Sequence, residues 1–282
     1  MLSFRLPLFA FALFCTQFNA QSLPPCSSPV APAVPGGGAV ITSVANFVTR
    51  QPFTSGINPN FTSGMEPSGP VSSGELVSIM GSWLAADSTY PMADGTWPAS
   101  LNGAEVLVSA GGVVVNAPIL YAGMRRDGPV FGAIANAEIV AQLPFNLEGG
   151  TVTLQVRVSG RCVGNQFTLP LALNTALFVQ PPYTVAVGTK SGSAMSIYGT
   201  GLGDVVDPAF RAGQAATSPI PVRANVSVTL GDMPATVSYA GVSGLPGLYQ
   251  VNFQVPTLVP GTYITRFAVD GTSAGSILVQ VQ

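Results

Sequence analysis

The side chains that could do chemistry in this chain are carboxylates and hydroxyls, because none of its 282 residues is a histidine. Histidine is the usual general base, the partner of catalytic serine or cysteine, and a common zinc ligand. Its absence excludes all of those arrangements. The twelve acidic residues are thinly spread, and no pair forms a recognisable glycosidase motif. The sequence therefore indicates a protein that is not an enzyme and carries no cofactor.

Two carboxylates at short spacing are a candidate metal site. Asp204 and Asp207 follow Gly203 in a predicted loop, and this spacing is compatible with calcium, which prefers oxygen ligands. A complete site needs about six oxygens, and the favoured alternative is that both aspartates are solvated turn residues. The alternating Gly199, Gly201 and Gly203 predict a strand-ending turn rather than a phosphate cradle, because no helix follows them.

Three aromatic residues are predicted to share one loop in the first half of the chain. Trp83, Tyr90 and Trp97 are candidates for holding an extracellular glycan or protein, since aromatic side chains in sandwich loops can do so. The alternative, which is favoured, is that Trp83 and Trp97 close the end of the core. Tyr239 and Tyr249 are predicted to be core or strand-edge residues rather than ligands.

The composition indicates a globular, β-rich protein. Only 8% of the residues are charged and 47% are apolar, whereas disordered chains are charged and poor in apolar residues. The formal net charge is -2, and Lys190 is the sole lysine. Because no basic stripe could neutralise phosphates, we expect no nucleic-acid partner.

The first twenty residues are typical of a signal peptide. Arg5 supplies a positive charge, residues 6–15 are apolar, and Ala20 precedes the predicted cleavage point. The alternative of an uncleaved anchor requires about 20 apolar residues, which this segment lacks. We therefore predict that the protein is secreted or reaches the cell envelope or surface.

A second apolar stretch, residues 106–124, is free of charge but is not predicted to cross a membrane. Gly111-Gly112 and Asn116-Ala117-Pro118 divide it into short pieces, which is turn chemistry between strands. We expect no transmembrane span in the mature chain.

Two cysteines are left once the leader and its Cys15 are removed. Cys26 and Cys162 are an even pair in an oxidising compartment, so a disulfide is predicted. It would stabilise the fold by up to about 5 kcal/mol. The alternative is two free thiols, because a sequence does not guarantee that the two Cα atoms come within reach.

The chain repeats itself. Gly199 follows Gly81 by 118 residues, and Tyr239 follows Tyr121 by the same interval. Later matches are 112 and 111 residues apart, so the first copy carries about six extra residues, placed in an enlarged loop at 124–129. The matching segments are 74–84 with 192–202, 106–109 with 226–229, 121–123 with 239–241, and 142–144 with 254–256. A repeat of this length indicates duplicated domains.

Alternation of apolar and polar residues defines the fold class. Val226, Val228 and Leu230 alternate with polar residues, as do Val251 and Phe253, and turn residues recur between such runs. This pattern predicts an all-β protein of two tandem immunoglobulin-like β-sandwich domains. The predicted organisation is a signal peptide at 1–20, a Pro/Gly-rich arm at 21–38, a first domain at 39–173, a linker at 174–182 and a second domain at 183–282.

Motifs in the second copy point to a family. They are Ile-Tyr-Gly-Thr-Gly-Leu-Gly at 197–203, Gly-Leu-Tyr-Gln-Val-Asn-Phe-Gln-Val-Pro at 247–256 and Val-Pro-Gly at 259–261. Together they resemble the uncharacterised Ig-like, TIG-like C-terminal domain of secreted soil-acidobacterial proteins, and the first copy looks like a diverged member. The resemblance implies an exported β-sandwich and supplies no catalytic residues.

The leading functional hypothesis is a secreted or surface-exposed, non-catalytic protein in adhesion or in extracellular binding of a glycan or protein through loops. The first alternative is a structural spacer or assembly module without its own ligand. The second is a secreted carbohydrate-active enzyme, which would require a cleft with two converging acids.

Overall fold

Strands are the only regular elements in the part of the chain that the structure describes. This computed structural model describes residues 40–46, 70–82, 84–85, 95–124, 137–158, 161–162, 165–175, 177–178 and 187–282. In these ranges no helix has the length and apolar character that a membrane crossing requires. The predicted all-β class is confirmed.

The first half of the chain forms a sandwich of two sheets. Its strands are β1 (Val40–Asn46), β2 (Val71–Ser72), β3 (Leu76–Ser82), β4 (Ser100–Leu101), β5 (Ala104–Ala110), β6 (Val113–Ala117), β7 (Ile119–Met124), β8 (Ala137–Gln142), β9 (Thr151–Val158), β10 (Arg161–Cys162) and β11 (Phe167–Ala172). One sheet has the order β1-β3-β8-β7. The other has the order β2-β11-β9-β5-β4, with β6 on β5 and β10 on β9.

The second half forms a second sandwich. Its strands are β12 (Leu177–Phe178), β13 (Val187–Thr189), β14 (Ala194–Thr200), β15 (Ile220–Pro221), β16 (Val226–Leu230), β17 (Met233–Val242), β18 (Tyr249–Gln254), β19 (Gly261–Val269) and β20 (Thr272–Val281). They follow the order β12-β14-β18-β17-β16-β19-β20-β13, with β15 on β17. The predicted linker at 174–182 thus contains a strand, β12, which pairs with β14.

The strands of the second sandwich follow one continuous hydrogen-bonded path, and this path folds into two sheets at β17, which belongs to both. Residues 233–235 pair with β16, and residues 236–242 pair with β18. The register shifts between Val237 and Tyr239, and such bulges bend a strand from one sheet into the other. In the first sandwich two separate strands correspond to β17. The strand β6 pairs with β5 in one sheet, and β7 pairs with β8 in the other. Pro118 separates them.

The two sandwiches share their strand order and their register. Leu76 pairs with Gln142 in the first sandwich, and Ala194 pairs with Gln254 in the second. Both β7 and β17 carry a register shift at the matching position, after Ile119 and after Val237. The intervals found in the sequence repeat therefore coincide with the pairing of these strands.

Each sandwich has its own apolar core between its sheets. The predicted inward residues of β16 and β18 are buried, and Phe253 meets Phe267 edge to face at 6.3 Å between ring centroids. Ile79, Ile139 and Leu154 are fully buried in the first core. Alternation along the strands thus predicted which side chains pack inside.

The two predicted interruptions of the apolar stretch at 106–124 have different outcomes. The predicted turn at Gly111 and Gly112 is confirmed, since the two glycines connect β5 to β6. Both have positive φ angles. The predicted turn at Asn116-Ala117-Pro118 is wrong in part, since Asn116 and Ala117 lie in β6 and pair with β5. Only Pro118, which lacks an N–H, breaks the strand, and there the chain passes between sheets.

Replacing Phe253 by alanine tests the second core. We expect the free energy of unfolding to fall by about 3–5 kcal/mol, because a fully buried ring is exchanged for a cavity. Chemical denaturation measures this change. The control is Val259→Ala, whose side chain is 74% exposed and whose effect should stay within about 0.5 kcal/mol. Equal effects of the two variants would contradict the assigned core.

Candidate functional site at the junction of the two sandwiches

A buried carboxylate lies where the first sandwich meets the chain leading into the second. Glu75 is fully buried, and its Oε2 accepts hydrogen bonds from the Ser72 backbone N–H at 2.9 Å and from Thr175 Oγ1 at 2.5 Å. The Thr175 N–H donates to the carbonyl of Gly201 at 2.8 Å. Because a buried carboxylate is costly without such donors, Glu75 ties the two sandwiches together.

A buried amide makes a second tie. Gln142, at the end of β8, accepts the Gly213 N–H on its Oε1 at 2.7 Å, and its Nε2 donates to the Gly74 carbonyl at 3.2 Å. Nearby, the Leu76 N–H donates to Thr200 Oγ1 at 3.1 Å. Backbone groups at the end of one sandwich are thereby satisfied by side chains of the other.

Aromatic rings fill the space beside these bonds. Phe145 of the first sandwich packs with Phe210 of the second, with ring centroids 5.7 Å apart. Tyr249 is fully buried and donates its O–H to the Gly203 carbonyl at 2.7 Å, which confirms its predicted core position. Gly74 has a positive φ of 73°, and a Cβ at this position would overlap both Phe145 and the Tyr249 hydroxyl. The close approach requires glycine there.

Strand-like pairing extends the junction to Trp97. The Trp97 N–H donates to the Gly213 carbonyl at 2.8 Å, and the Ala215 N–H donates to the Gly95 carbonyl at 3.1 Å. The side chain of Trp97 is half-buried, and its backbone is held by the second sandwich. Trp83 and Tyr90 lie outside the described residues. A shared aromatic platform therefore stays a prediction.

Both aspartates of the predicted calcium site make structural hydrogen bonds. Asp204 Oδ1 accepts the Asn146 N–H across the junction at 2.7 Å, and Asp207 Oδ1 accepts the Ala209 N–H at 2.8 Å within a turn. In the described ranges no cluster of three or more acidic, cysteine or histidine side chains could hold a metal. These bonds match the alternative of turn aspartates, and a calcium role for the pair stays a prediction.

The predicted disulfide falls only partly within the described chain. Cys162 lies in β10 and pairs through its backbone with Arg157 of β9. Cys26 lies outside the described residues, as do the predicted signal peptide and the whole N-terminal arm at 21–38. The Cys26–Cys162 bond stays a prediction.

A groove of about 440 Å³ opens on the junction and is lined by both sandwiches. Thr96 comes from the first, while Asp207, Gln214, Thr217 and Ser218 come from the second. Phe210 and Ile220, both nearly buried, supply apolar surface beside these polar groups. Sequence reasoning found Asp207 but missed the others, because ordinary polar loop residues carry no pattern that marks them as neighbours.

No protein-family model and no curated protein matches this chain, so the resemblance to an acidobacterial Ig-like family stays a prediction. Among solved structures it is similar to the Escherichia coli adhesin FdeC, at 13% identity and a TM-score of 0.26, over 75% of this chain and 61% of the adhesin. It is also similar to domains 4 and 5 of the S-layer protein SbsC, at 12% identity and a TM-score of 0.22, over 86% and 98% of the two chains. The titin Ig tandem A164-A165 gives 8% identity and a TM-score of 0.22, over 76% and 89%. The immunoglobulin-like assignment therefore rests on the sheets and cores described above.

The repeat offers a matched pair of glutamines to test the junction. Replacing Gln142 by alanine leaves the Gly213 N–H without its acceptor, so we expect a loss of about 1–3 kcal/mol in unfolding free energy. Hydrogen exchange at the Gly213 amide should also accelerate. Gln254→Ala is the control, since Gln254 is exposed at the matching position and bonds only to Gly192. Equal loss of stability in both variants would count against the junction.

The pH dependence of stability tests the burial of Tyr249. Burial, followed by the nearby Asp204 and Glu75 charges, raises the pKa of Tyr249 well above its ordinary value of 10.0. The unfolded chain therefore releases this proton at lower pH than the folded chain, so stability is retained below pH 10 and falls as the pH rises above it. Denaturation curves measured from neutral pH upward should show this fall, and Tyr249→Phe should weaken it. Val259→Ala, which alters an exposed side chain without an ionisable group, is the control and should leave the pH dependence unchanged.

Proposed function

We propose that this chain is an exported, non-catalytic protein of adhesion or extracellular binding, which presents the groove at its junction to a glycan or a protein. The observation that carries this proposal is that residues of both sandwiches line the groove. A binding surface of this kind exists only while the junction is closed. Concave sites between domains are common places for ligands.

The chemistry of the groove suits a hydrogen-bonding partner. Asp207 uses one carboxylate oxygen for the Ala209 N–H, and within the described ranges it has no cationic partner. Gln214 is exposed and accepts the Arg211 N–H on its Oε1, and its amide N–H groups have no partner within the described ranges. Thr217 and Ser218 add exposed hydroxyls. The groove thus offers acceptors and donors beside a small apolar surface.

Export and the lack of catalysis are supported by separate observations. The leader-like residues 1–20 support an extracellular setting. The chain has no histidine, and the buried Glu75 and Glu138 are engaged by Thr175 and by Ser78, the latter at 2.5 Å. Acids held in this way contribute to stability rather than to a cleft with two converging carboxylates.

The proposal includes a duplicated origin. We infer that the two sandwiches are diverged copies of one Ig-like domain, with boundaries at 39–173 and 183–282. Shared strand order and register support this inference, as does the coincidence of the repeat intervals with strand pairing. The family resemblance of the second copy belongs to the same proposal.

The second candidate function is a spacer or assembly module without a ligand of its own. The closed junction itself favours it, because tandem domains move relative to each other unless buried contacts oppose the motion. Glu75, Gln142 and the Phe145–Phe210 pair provide such contacts. A spacer needs this fixed geometry but has no use for the groove.

Variants in the groove separate the two candidates. Binding of the full chain to arrays of glycans, cell-wall fragments and extracellular proteins should weaken about tenfold in Asp207→Asn and Gln214→Ala. The matched control is Asp232→Asn, an exposed aspartate in the turn between β16 and β17. Unchanged binding in both groove variants would exclude the groove as the binding site. A chain that binds nothing on the arrays, yet keeps a fixed length in small-angle X-ray scattering, would be the spacer.

A further inference from the structure

The second sandwich exposes an uncharged sheet face formed by β14, β18 and β17. Met195, Ile197, Val251 and Phe253 of these strands point into the core. The alternate residues point outward and are amides, hydroxyls, tyrosines, alanine and glycine. They are Ala194, Ser196, Tyr198, Gln250, Asn252, Gln254, Thr236, Ser238 and Tyr239, together with Gly241, which is buried beneath the Tyr239 ring. Excluding the tyrosine hydroxyls, no ionisable group lies on this face.

Strand pairing places two tyrosines on either side of two amides. Tyr198 lies directly opposite Gln250, which in turn lies opposite Gly241. Asn252 lies opposite Tyr239 in the next row. Because neighbouring strands are about 4.8 Å apart, the tyrosines on the two outer strands flank the amides on the central one.

Both rings are suited to contact a ligand, for different reasons. Tyr239 is held in place, since its O–H donates to the Val242 carbonyl at 2.8 Å and its oxygen accepts the Ile220 N–H at 3.2 Å. A Cβ on Gly241 would overlap this hydroxyl, so the ring lies across the glycine. Tyr198 is 41% exposed, and its hydroxyl has no protein partner in the described chain.

The amides between the rings are already oriented. Gln250 Nε2 donates to Asn252 Oδ1 at 2.6 Å and approaches Ser196 Oγ at 3.5 Å. This arrangement leaves Gln250 Oε1 as an acceptor and Asn252 Nδ2 as a donor without protein partners in the described ranges. A bound molecule would therefore meet a prearranged donor and acceptor rather than two mobile side chains.

The matching face of the first sandwich is different, so the fold does not require this surface. By register, Met80, Glu138 and Val140 occupy the positions of Tyr198, Gln250 and Asn252. Glu138 and Val140 are each 2% exposed. The open arrangement of amides between tyrosines belongs to the second sandwich alone.

We infer that this face binds a neutral polysaccharide. Sugar rings present apolar C–H surfaces that pack on aromatic side chains, and their hydroxyls both donate to and accept from amides. A charged ligand would lose hydration without gaining a countercharge on this face, which disfavours anionic glycans and charged protein surfaces. The inference rests on the proposed extracellular role and goes beyond it, because it names a ligand class for a surface separate from the groove.

Affinity electrophoresis of the full chain tests this inference. The probes are gels containing dextran, mixed-linkage β-glucan or galactomannan, with alginate as the anionic comparison. We expect at least one neutral polysaccharide to retard the protein and alginate not to. Tyr198→Ala and Asn252→Ala should each raise the dissociation constant about tenfold, whereas Tyr198→Phe, which keeps the ring, should have a smaller effect.

The control is Ile264→Ala, which removes a side chain that is 46% exposed on the opposite sheet and should leave the retardation unchanged. Thermal melts of all four variants should match that of the parent chain, since every altered side chain lies on the outer surface. The inference is overturned if no neutral polysaccharide retards the chain, if Tyr198→Ala is retarded as strongly as the parent, or if alginate binds more tightly.

The outcomes also separate this inference from the proposed function. Loss of array binding in Asp207→Asn, combined with no retardation by any neutral polysaccharide, would leave the proposed groove in place and reject the polysaccharide face. Retardation that depends on Tyr198 and not on Asp207 would support the face and reject the groove as the site of glycan binding.

Discussion

A carboxylate buried between two sandwiches constrains the whole arrangement. Glu75 lies in the first sandwich, and the hydroxyl of Thr175, which begins the path into the second, is one of its donors. Separating the sandwiches would remove that donor and require the charge to be rehydrated. The pairing of Gln142 with Gly213 and the approach of Tyr249 over Gly74 depend on the same closed geometry.

The regular part of the fold could be predicted from the sequence because it follows local rules. Alternation identified the buried residues of β16 and β18, and the repeat intervals matched the pairing of β3 with β8 and of β14 with β18. The junction could not be predicted in this way. Gln142 and Gln254 stand in nearly identical motifs, yet only Gln142 reaches the other sandwich. That difference depends on docking, which leaves no periodic pattern in the chain.

The candidate sites, like the junction, could be predicted from the sequence only in part. Asp207 lies near another acid in the sequence, but the groove around it is also lined by Thr96, which is more than a hundred positions away in the chain. Tyr239 was predicted to be a core or strand-edge residue, and the structure places its ring across Gly241 beside the amides of β18. Residue types identify possible chemistry, whereas strand register decides which of them become neighbours.

The strand shared by both sheets makes the corner of the second sandwich different from that of the first. In β17 one strand continues from one layer to the other, pairing first with β16 and then with β18. In the first sandwich the chain also passes between the layers without a break, but the corner is occupied by Pro118, which has no N–H to donate. A substitution at Pro118 would therefore alter the backbone freedom of that corner, whereas the second sandwich turns the same corner by a bulge within a paired strand.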